Sequence, residues 1–399
     1  MRPERFVDHT YGAPYRDPTS GWSFWAFRPA SIPRDLRLDP ETVLALSEAD
    51  AALGRLAGAG RHLPDPSVVV RPYIMREALA SSRIEGTQAS LSDVFQAVAA
   101  EEESPNPDIL EVFNYMRAMD YGLGLAPNLP LVGRMVREIH EQLVTGVRGE
   151  GRRPGEFRRE PVWIGSPTDD PETATFVPPL PAELNAAWSD WEAFANEGPR
   201  LPHLVQCALM HYQFETIHPF FDGNGRLGRL LIVFFLIHRA ALPAPLLYIS
   251  PYFEDRRGEY YDRLQAVRER GEMQEWLQFF FTAVSVQAET AIIQAEELHD
   301  LRERYRHEMA GSRSRAVEVV DLLFGNPIIT VSRVGGRLGI TPQGAIRLIR
   351  QLEEKGWLAS MGSWGRGGRL YWIANEIYGI VSGPPRRARS AAQTDATRA

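Results

Sequence analysis

Apolar residues recur at helical spacing along most of this chain, and the pattern changes in three places. The periodicity predicts helices over 41–57, 71–85 and about 90–101, then two more within 105–147, parted near Pro127 and Pro130. It resumes over 182–196, 202–216, 226–239, 256–269 and 272–308. The first 40 residues are rich in Pro, Arg and aromatics without a period, so they read as an irregular arm. Residues 150–181 are crowded with Gly and Pro. Two β-like runs, 161–164 and 173–177, flank the turn signal Ser166-Pro167-Thr168-Asp169-Asp170-Pro171, which predicts a hairpin or flap within a helical body. Beyond 311 the pattern gives helices at 314–324, 330–338 and 342–355, a turn at Gly339-Ile340-Thr341, and two short strands near 357–361 and 369–373. That order is the layout of a winged helix-turn-helix. The expected fold is mainly α: a helical core with a small β-hairpin flap, followed by an α+β winged-helix domain. The expected divisions are an arm at 1–40, a helical region at 41–125, a core at 126–310, the winged helix at 311–380 and a disordered tail at 381–399.

Composition adds two constraints. At 44% hydrophobic and 24% charged, the 399 residues can build a sizeable core. The net charge of -7 is unevenly spread. Thirteen Lys and Arg against six Asp and Glu leave 312–399 at +7, so the first 311 residues carry -14. A basic module on an acidic body suggests an acidic partner, DNA among them. The single cysteine, Cys207, lies in an apolar run and reads as a small core residue. No apolar stretch approaches the ~20 residues of a bilayer span, and the start has no signal-peptide core, so the expectation is a cytoplasmic protein without membrane contact.

The candidate chemistry is concentrated in 218–229, His-Pro-Phe-Phe-Asp-Gly-Asn-Gly-Arg-Leu-Gly-Arg. One helix ends before Pro219 and an apolar one starts near Arg226. Between them Gly223 and Gly225 flank Asn224, so backbone N–H groups can converge at a helix N-terminus and form an anion site. Arg226 and Arg229, three apart, rise on one face of that helix and suit a polyphosphate. Asp222 is out of place beside phosphates unless a divalent cation lies between them, and Mg²⁺ held by one carboxylate and phosphate oxygens fits. His218 offers an imidazole able to take a proton from a hydroxyl at neutral pH.

This segment matches the pattern His-x-Phe-x-Asp/Glu-Gly-Asn-Gly-Arg-x-x-Arg of the Fic family at every fixed position, and over roughly 20–378 the chain resembles Fic proteins that carry an N-terminal inhibitory helix and a C-terminal winged helix. The resemblance implies a protein adenylyltransferase, which moves AMP from ATP to a Ser, Thr or Tyr hydroxyl of a protein. His218 would deprotonate the hydroxyl, and Asp222 would hold Mg²⁺. Gly223, Asn224 and Gly225 would cradle phosphates. Arg226 and Arg229 would hold the phosphate chain, and Phe220 would anchor the loop. The 155–181 flap would dock a target segment as an added strand, and Tyr261 with Leu264 would face adenine. Ser81, Glu85 and Gly86 match the family's inhibitory pattern Ser/Thr-x-x-x-Glu-Gly/Asn, which implies that Glu85 pairs with Arg229 and holds the enzyme off. In some relatives the same Glu also positions a water that removes AMP.

In the predicted helix 342–355, Gln343, Arg347 and Arg350 share a polar face, opposite Ala345, Ile346, Ile349 and Leu352, while Arg366 and Arg369 fall at the wing near Trp364. That face suits DNA, or else a dimer or protein contact. The target protein could be the chain itself. Two other functions stay open: a transcription regulator that uses its Fic core to sense a nucleotide, and an enzyme that removes AMP.

Overall fold

The computed structural model describes residues 1–17, 21–62, 66–101, 106–126, 129–166, 168–198, 200–312, 314–364 and 368–383. The helical body comprises α1 (Pro40–His62), α2 (Pro66–Ile84), α3 (Leu91–Ala100), α4 (Pro107–Leu125), α5 (Gly133–Val144), α6 (Pro181–Asn196), α7 (His203–Ile217), α8 (Asn224–His238), α9 (Ser250–Asp255), α10 (Arg257–Arg270) and α11 (Met273–Glu308). Local chemistry sets several of these ends. Ser90 caps α3 in a reciprocal box with Asp93, and Asn106 caps α4 with Pro107 at its first turn. The apolar run from Leu227 to Leu236 makes α8 a fully interior helix, threaded among α2, α4, α5 and α7. The 36-residue α11 is the spine, and α1 lies along it. Among the described residues no helix is long and apolar enough to cross a membrane.

The irregular arm expected at 1–40 is more ordered than its composition suggests. β1 (Gly12–Tyr15) and β2 (Ala26–Pro29) pair antiparallel, Gly12 opposite Pro29. Gly12 has φ +140, and a Cβ there would lie 2.5 Å from the Arg28 carbonyl oxygen, so glycine is required. Tertiary contact explains the order. Phe27 donates its N–H to the Val177 carbonyl at 2.8 Å, and Phe6, Phe27 and Phe176 form a small second core beneath the flap. The flap is less regular than expected: of the runs 161–164 and 173–177, only Ile164 and Phe176 pair, exchanging both backbone bonds.

The C-terminal module consists of α12 (Ala316–Gly325), β3 (Ile328–Thr330), α13 (Val331–Leu338), α14 (Pro342–Glu354), β4 (Ala359–Trp364), β5 (Arg369–Ile373) and α15 (Asn375–Ser382). Its sheet order is β3-β5-β4, all antiparallel, so the C-terminal region combines a small sheet with helices, as expected of an α+β domain. The three-residue β3 and the closing α15 escaped the sequence pattern, and residues 384–399 of the expected tail lie outside the described residues. The module is built into the body. Asn326, Arg333, Thr330 and Arg369 donate to the carbonyls of Phe95, Val98, Ala99 and Ala100, satisfying the last turn of α3. α12 packs on α2, and Gln294 of α11 donates to the Ile380 and Gly383 carbonyls. Arg369, expected at the wing, lies on β5 and donates to the Ala100 carbonyl of α3, and Arg366 lies outside the described residues.

Candidate functional site

The site forms where α7 stops and α8 starts. His218 ends α7 in the left-handed region, φ +49, a conformation that few non-glycine residues adopt and that turns the chain sharply. Gly223, φ +76, turns it back into α8, and a Cβ there would meet Val144 at 2.9 Å. Asn224 braces the loop between these turns: its Oδ1 accepts from the Phe220 N–H at 2.9 Å and its Nδ2 donates to the Phe220 carbonyl at 2.8 Å. The Asn224 side chain is thus spent on the loop, and only its backbone N–H remains for a phosphate. Phe220 is fully buried, as an anchor should be, with its ring stacked 3.8 Å from His140.

His140 and Arg158 were not singled out by the sequence. The Gly155 N–H donates to His140 Nδ1 at 3.0 Å, which leaves Nε2–H to donate to the Asp222 carbonyl at 3.0 Å. Burial pushes this imidazole down to about 4, so it is a neutral strut. Arg158, at the start of the flap, is 2% exposed. It donates to the carbonyls of His218 (2.8 Å), Ile217 (3.2 Å) and Pro179 (2.5 Å), and its own N–H reaches the Pro219 carbonyl at 2.9 Å. One guanidinium therefore ties both ends of the flap to the His218 turn. Arg158→Lys keeps the charge but cannot span three carbonyls. Turnover is expected to fall about tenfold to a hundredfold, because an ångström of misplacement costs that much, with little change in KM for the nucleotide; unchanged turnover would rule out this bracing role.

At the start of α8, Arg226 and Arg229 are both buried, 0% exposed. Arg226 leans on Glu111 (3.6 Å) and Asp222 (3.4 Å), while its Nε and Nη1 make no hydrogen bond. Glu111 was missed by the sequence, because a lone Glu in a helix looks like any solvated one; here it is 5% exposed and also takes Thr87 Oγ1 at 2.7 Å and Arg148 at 3.3 Å. Arg229 is held by the end of α2. Its Nε donates to Ser81 Oγ at 2.9 Å, and its Nη2 donates to the Ser81 carbonyl and to Glu85 Oε1, both at 2.8 Å. Gly86, φ +106, closes that helix end. Burial works against the Glu85 charge, but Arg229 outweighs it and holds the carboxyl below its usual range. The carboxylate lies over the first turn of α8: a Cβ on Gly225 would come within 2.2 Å of Glu85 Oε1. Glycine at 225 thus leaves room for an anionic group at the helix N-terminus, and Glu85 fills that room.

His218, at the end of α7, is only partly exposed. Burial, then Arg158 and Arg268, push its pKa down to about 3 against an opposing pull from Glu85, so the ring is neutral. Its Nδ1 makes no hydrogen bond, although the Glu215 carbonyl is near enough to favour a proton. Glu215 is a further buried acid, pushed up to about 7 by burial, with Oε1 unpartnered. It packs so closely that a Cβ on Gly228 would meet it at 2.5 Å. Asp222 has Oδ1 engaged by the Gly223 N–H (2.5 Å), while Oδ2 makes only a 4.0 Å approach to Arg148. That free oxygen beside buried, unsatisfied guanidinium donors fits Mg²⁺ held jointly with phosphate; among the described residues no group of three acidic, His or Cys ligands is present, and that mode of binding needs none. Tyr261 is 38% exposed at the edge of the site, its hydroxyl 3.4 Å from the Ile84 carbonyl, whereas Tyr260 is buried against His211.

Comparison with known proteins points to one family. The description "Fic/DOC family N-terminal" matches residues 43–124 and "Fic/DOC family" matches 130–236. The Protein adenylyltransferase Fic of Culex quinquefasciatus is 35% identical over 144 residues, 36% of this chain and 25% of that protein. Its namesake in Nematostella vectensis is 27% identical over 265 residues, 64% of this chain and 56% of that protein. The matched stretches thus span between 25% and 56% of these two relatives. The crystal structure of a Fic family protein from Desulfovibrio desulfuricans G20 shares the fold, with a TM-score of 0.55 and 20% identity, covering 85% of this chain and 97% of that one.

Proposed function

Because two stretches of the chain match the Fic/DOC descriptions, we propose that it is a Fic/DOC protein adenylyltransferase that transfers AMP from ATP to a side-chain hydroxyl of a protein, with His218 as general base and Glu85 as a built-in brake. The observation that carries this reading is the pairing of a neutral His218 with an anion site whose cations are buried and incompletely satisfied. The hydroxyl oxygen attacks the α-phosphorus, its proton passes to the imidazole, and pyrophosphate leaves. The α8 N-terminus, with Arg226 and Arg229, receives the phosphate chain. Asp222 would hold Mg²⁺, which supplies charge neutralisation on the phosphates. Glu85 occupies the place and the guanidinium that the terminal phosphate needs, so the resting chain is off.

The test is transfer of label from α-labelled ATP to protein by the Glu85→Gly chain, compared with γ-labelled ATP. Label from the α position alone supports AMP transfer. Label from neither, together with loss of AMP from a pre-modified protein in the presence of wild type, would replace this reading by AMP removal through the same Glu85.

The neutral His218 also makes a pH prediction. An ordinary imidazole, with a pKa near 6.5, would cost roughly tenfold in kcat/KM between about pH 7.5 and 5.5, because protonation removes the base. Here the folded value is depressed, so the base stays available and the loss should be under about twofold. An acid limb centred near 6.5 would contradict the depressed value.

The C-terminal module favours contact with an acidic partner through α14, where Gln343, Arg347 and Arg350 are exposed while Ala345, Ile349 and Leu352 are buried. DNA is the partner that this helix suits best. Arg369 would take no part, since it is bound to α3.

A further inference from the structure

A cleft of about 550 Å³ opens well away from the 218–229 loop, between the N-terminal half of α2, the end of α4, and α12 with α13. Its volume is that of ordinary small-molecule sites. The floor is apolar, with Ile74, Leu123 and Leu322 among its lining side chains. Three arginines converge on it: Arg71 from α2, and Arg333 and Arg337 from α13.

Their charge is poorly compensated. Arg333 is 9% exposed, and its Nε makes no hydrogen bond although its Nη1 reaches the Val98 carbonyl. Glu101 approaches Arg333 at 3.5 Å and Arg337 at 3.8 Å from an exposed position, so it offsets them only in part. Asp321 also lines the cleft but is taken by Arg302 (2.7 Å) and Arg306 (3.2 Å). Asp120 stands on the α4 wall, and no ion pair joins it to Arg71 among the described residues. Among the lining residues three guanidiniums thus face two carboxylates, one of them already engaged by Arg302 and Arg306, over an apolar floor. Burial lowers the pKa of Arg333; Glu101 opposes this, and Arg337 and Arg71 add smaller downward pulls.

We infer that this cleft binds a small organic anion, its apolar body on Ile74, Leu123 and Leu322 and its acid group on Arg71, Arg333 and Arg337. Such an occupant would bridge α2, the helix that carries Ser81 toward its end, to the C-terminal module.

The probe is 8-anilinonaphthalene-1-sulfonate, a sulfonate on an aromatic body, titrated by fluorescence into the full chain. Wild type should give saturable enhancement. Arg71→Glu with Arg337→Glu should weaken it at least tenfold. Both residues are exposed enough to leave the fold intact, and an unchanged far-UV spectrum and melting midpoint check this. Arg347→Glu, an exposed arginine on α14 outside the cleft, should bind within twofold of wild type, which separates a site from general attraction to positive charge. Arg71→Gln with Arg337→Gln should fall between wild type and the glutamate pair. The inference is overturned by a double variant that titrates like wild type, by an equal loss in Arg347→Glu, or by the absence of saturation in wild type. None of these outcomes bears on AMP transfer.

Discussion

Replacing Glu85 by glycine is expected to raise AMP transfer about tenfold to a hundredfold. Glu85 gives Arg229 a charge-assisted bond at 2.8 Å and lies on the first turn of α8, so a terminal phosphate must displace both contacts. A hydrogen bond to a charged group is worth about 1.5–3 kcal/mol, and each 1.4 kcal/mol is tenfold. The same change should weaken the fold. Arg229 is 0% exposed and would keep only its Ser81 contacts, leaving a buried cation underpaired. Glu85→Gly should therefore unfold at lower urea than wild type, and ATP with Mg²⁺ should restore more stability to it than to wild type, because phosphate replaces the lost carboxylate. Labelled transfer and urea midpoints check the two halves. A variant that is destabilised yet no faster would show that Glu85 is structural and not a brake.

In that relieved background, His218→Ala should reduce transfer by at least about a thousandfold, toward the upper end of what a positioned base supplies. Nothing else in the loop has this role. His140 is committed at both nitrogens to Gly155 and Asp222, and His211 lies between Gly228 and Tyr260. Binding of ATP, followed by thermal shift, should survive, since the phosphate ligands sit on α8 and not on His218. Alanine at 218 must still adopt φ +49, so a modest stability loss is expected with the chemical one. A variant that melts like its parent, binds ATP and still transfers AMP would remove His218 from the mechanism.

The helical body and its loop-to-helix site were legible because both are local. Apolar periodicity placed α1 to α8 within a few residues, and 218–229 carries its imidazole, carboxylate, glycines and arginines in twelve consecutive positions. The Ser81–Glu85–Gly86 segment was equally readable, and the structure brings it against Arg229, 144 residues away from Glu85. What could not be read was whatever depends on distant partners. Glu111, His140 and Arg158 carry no local signal, since their roles exist only once α4, α5 and the flap close around the loop. The arm at 1–40 is too poor in strand pattern to predict β1 and β2, which are ordered by Phe27 meeting Val177 and Phe176. The basic C-terminal end suggested a separate domain with an acidic partner, but not that its donors finish the last turn of α3. The sequence by itself determined most of the helices and which residue types the loop brings together, because spacing along one chain decides which residues share a face or a turn. Only the tertiary structure decided which charges are buried, which carbonyls are braced and where Glu85 comes to rest, because burial and pairing belong to contacts that the order of residues does not specify.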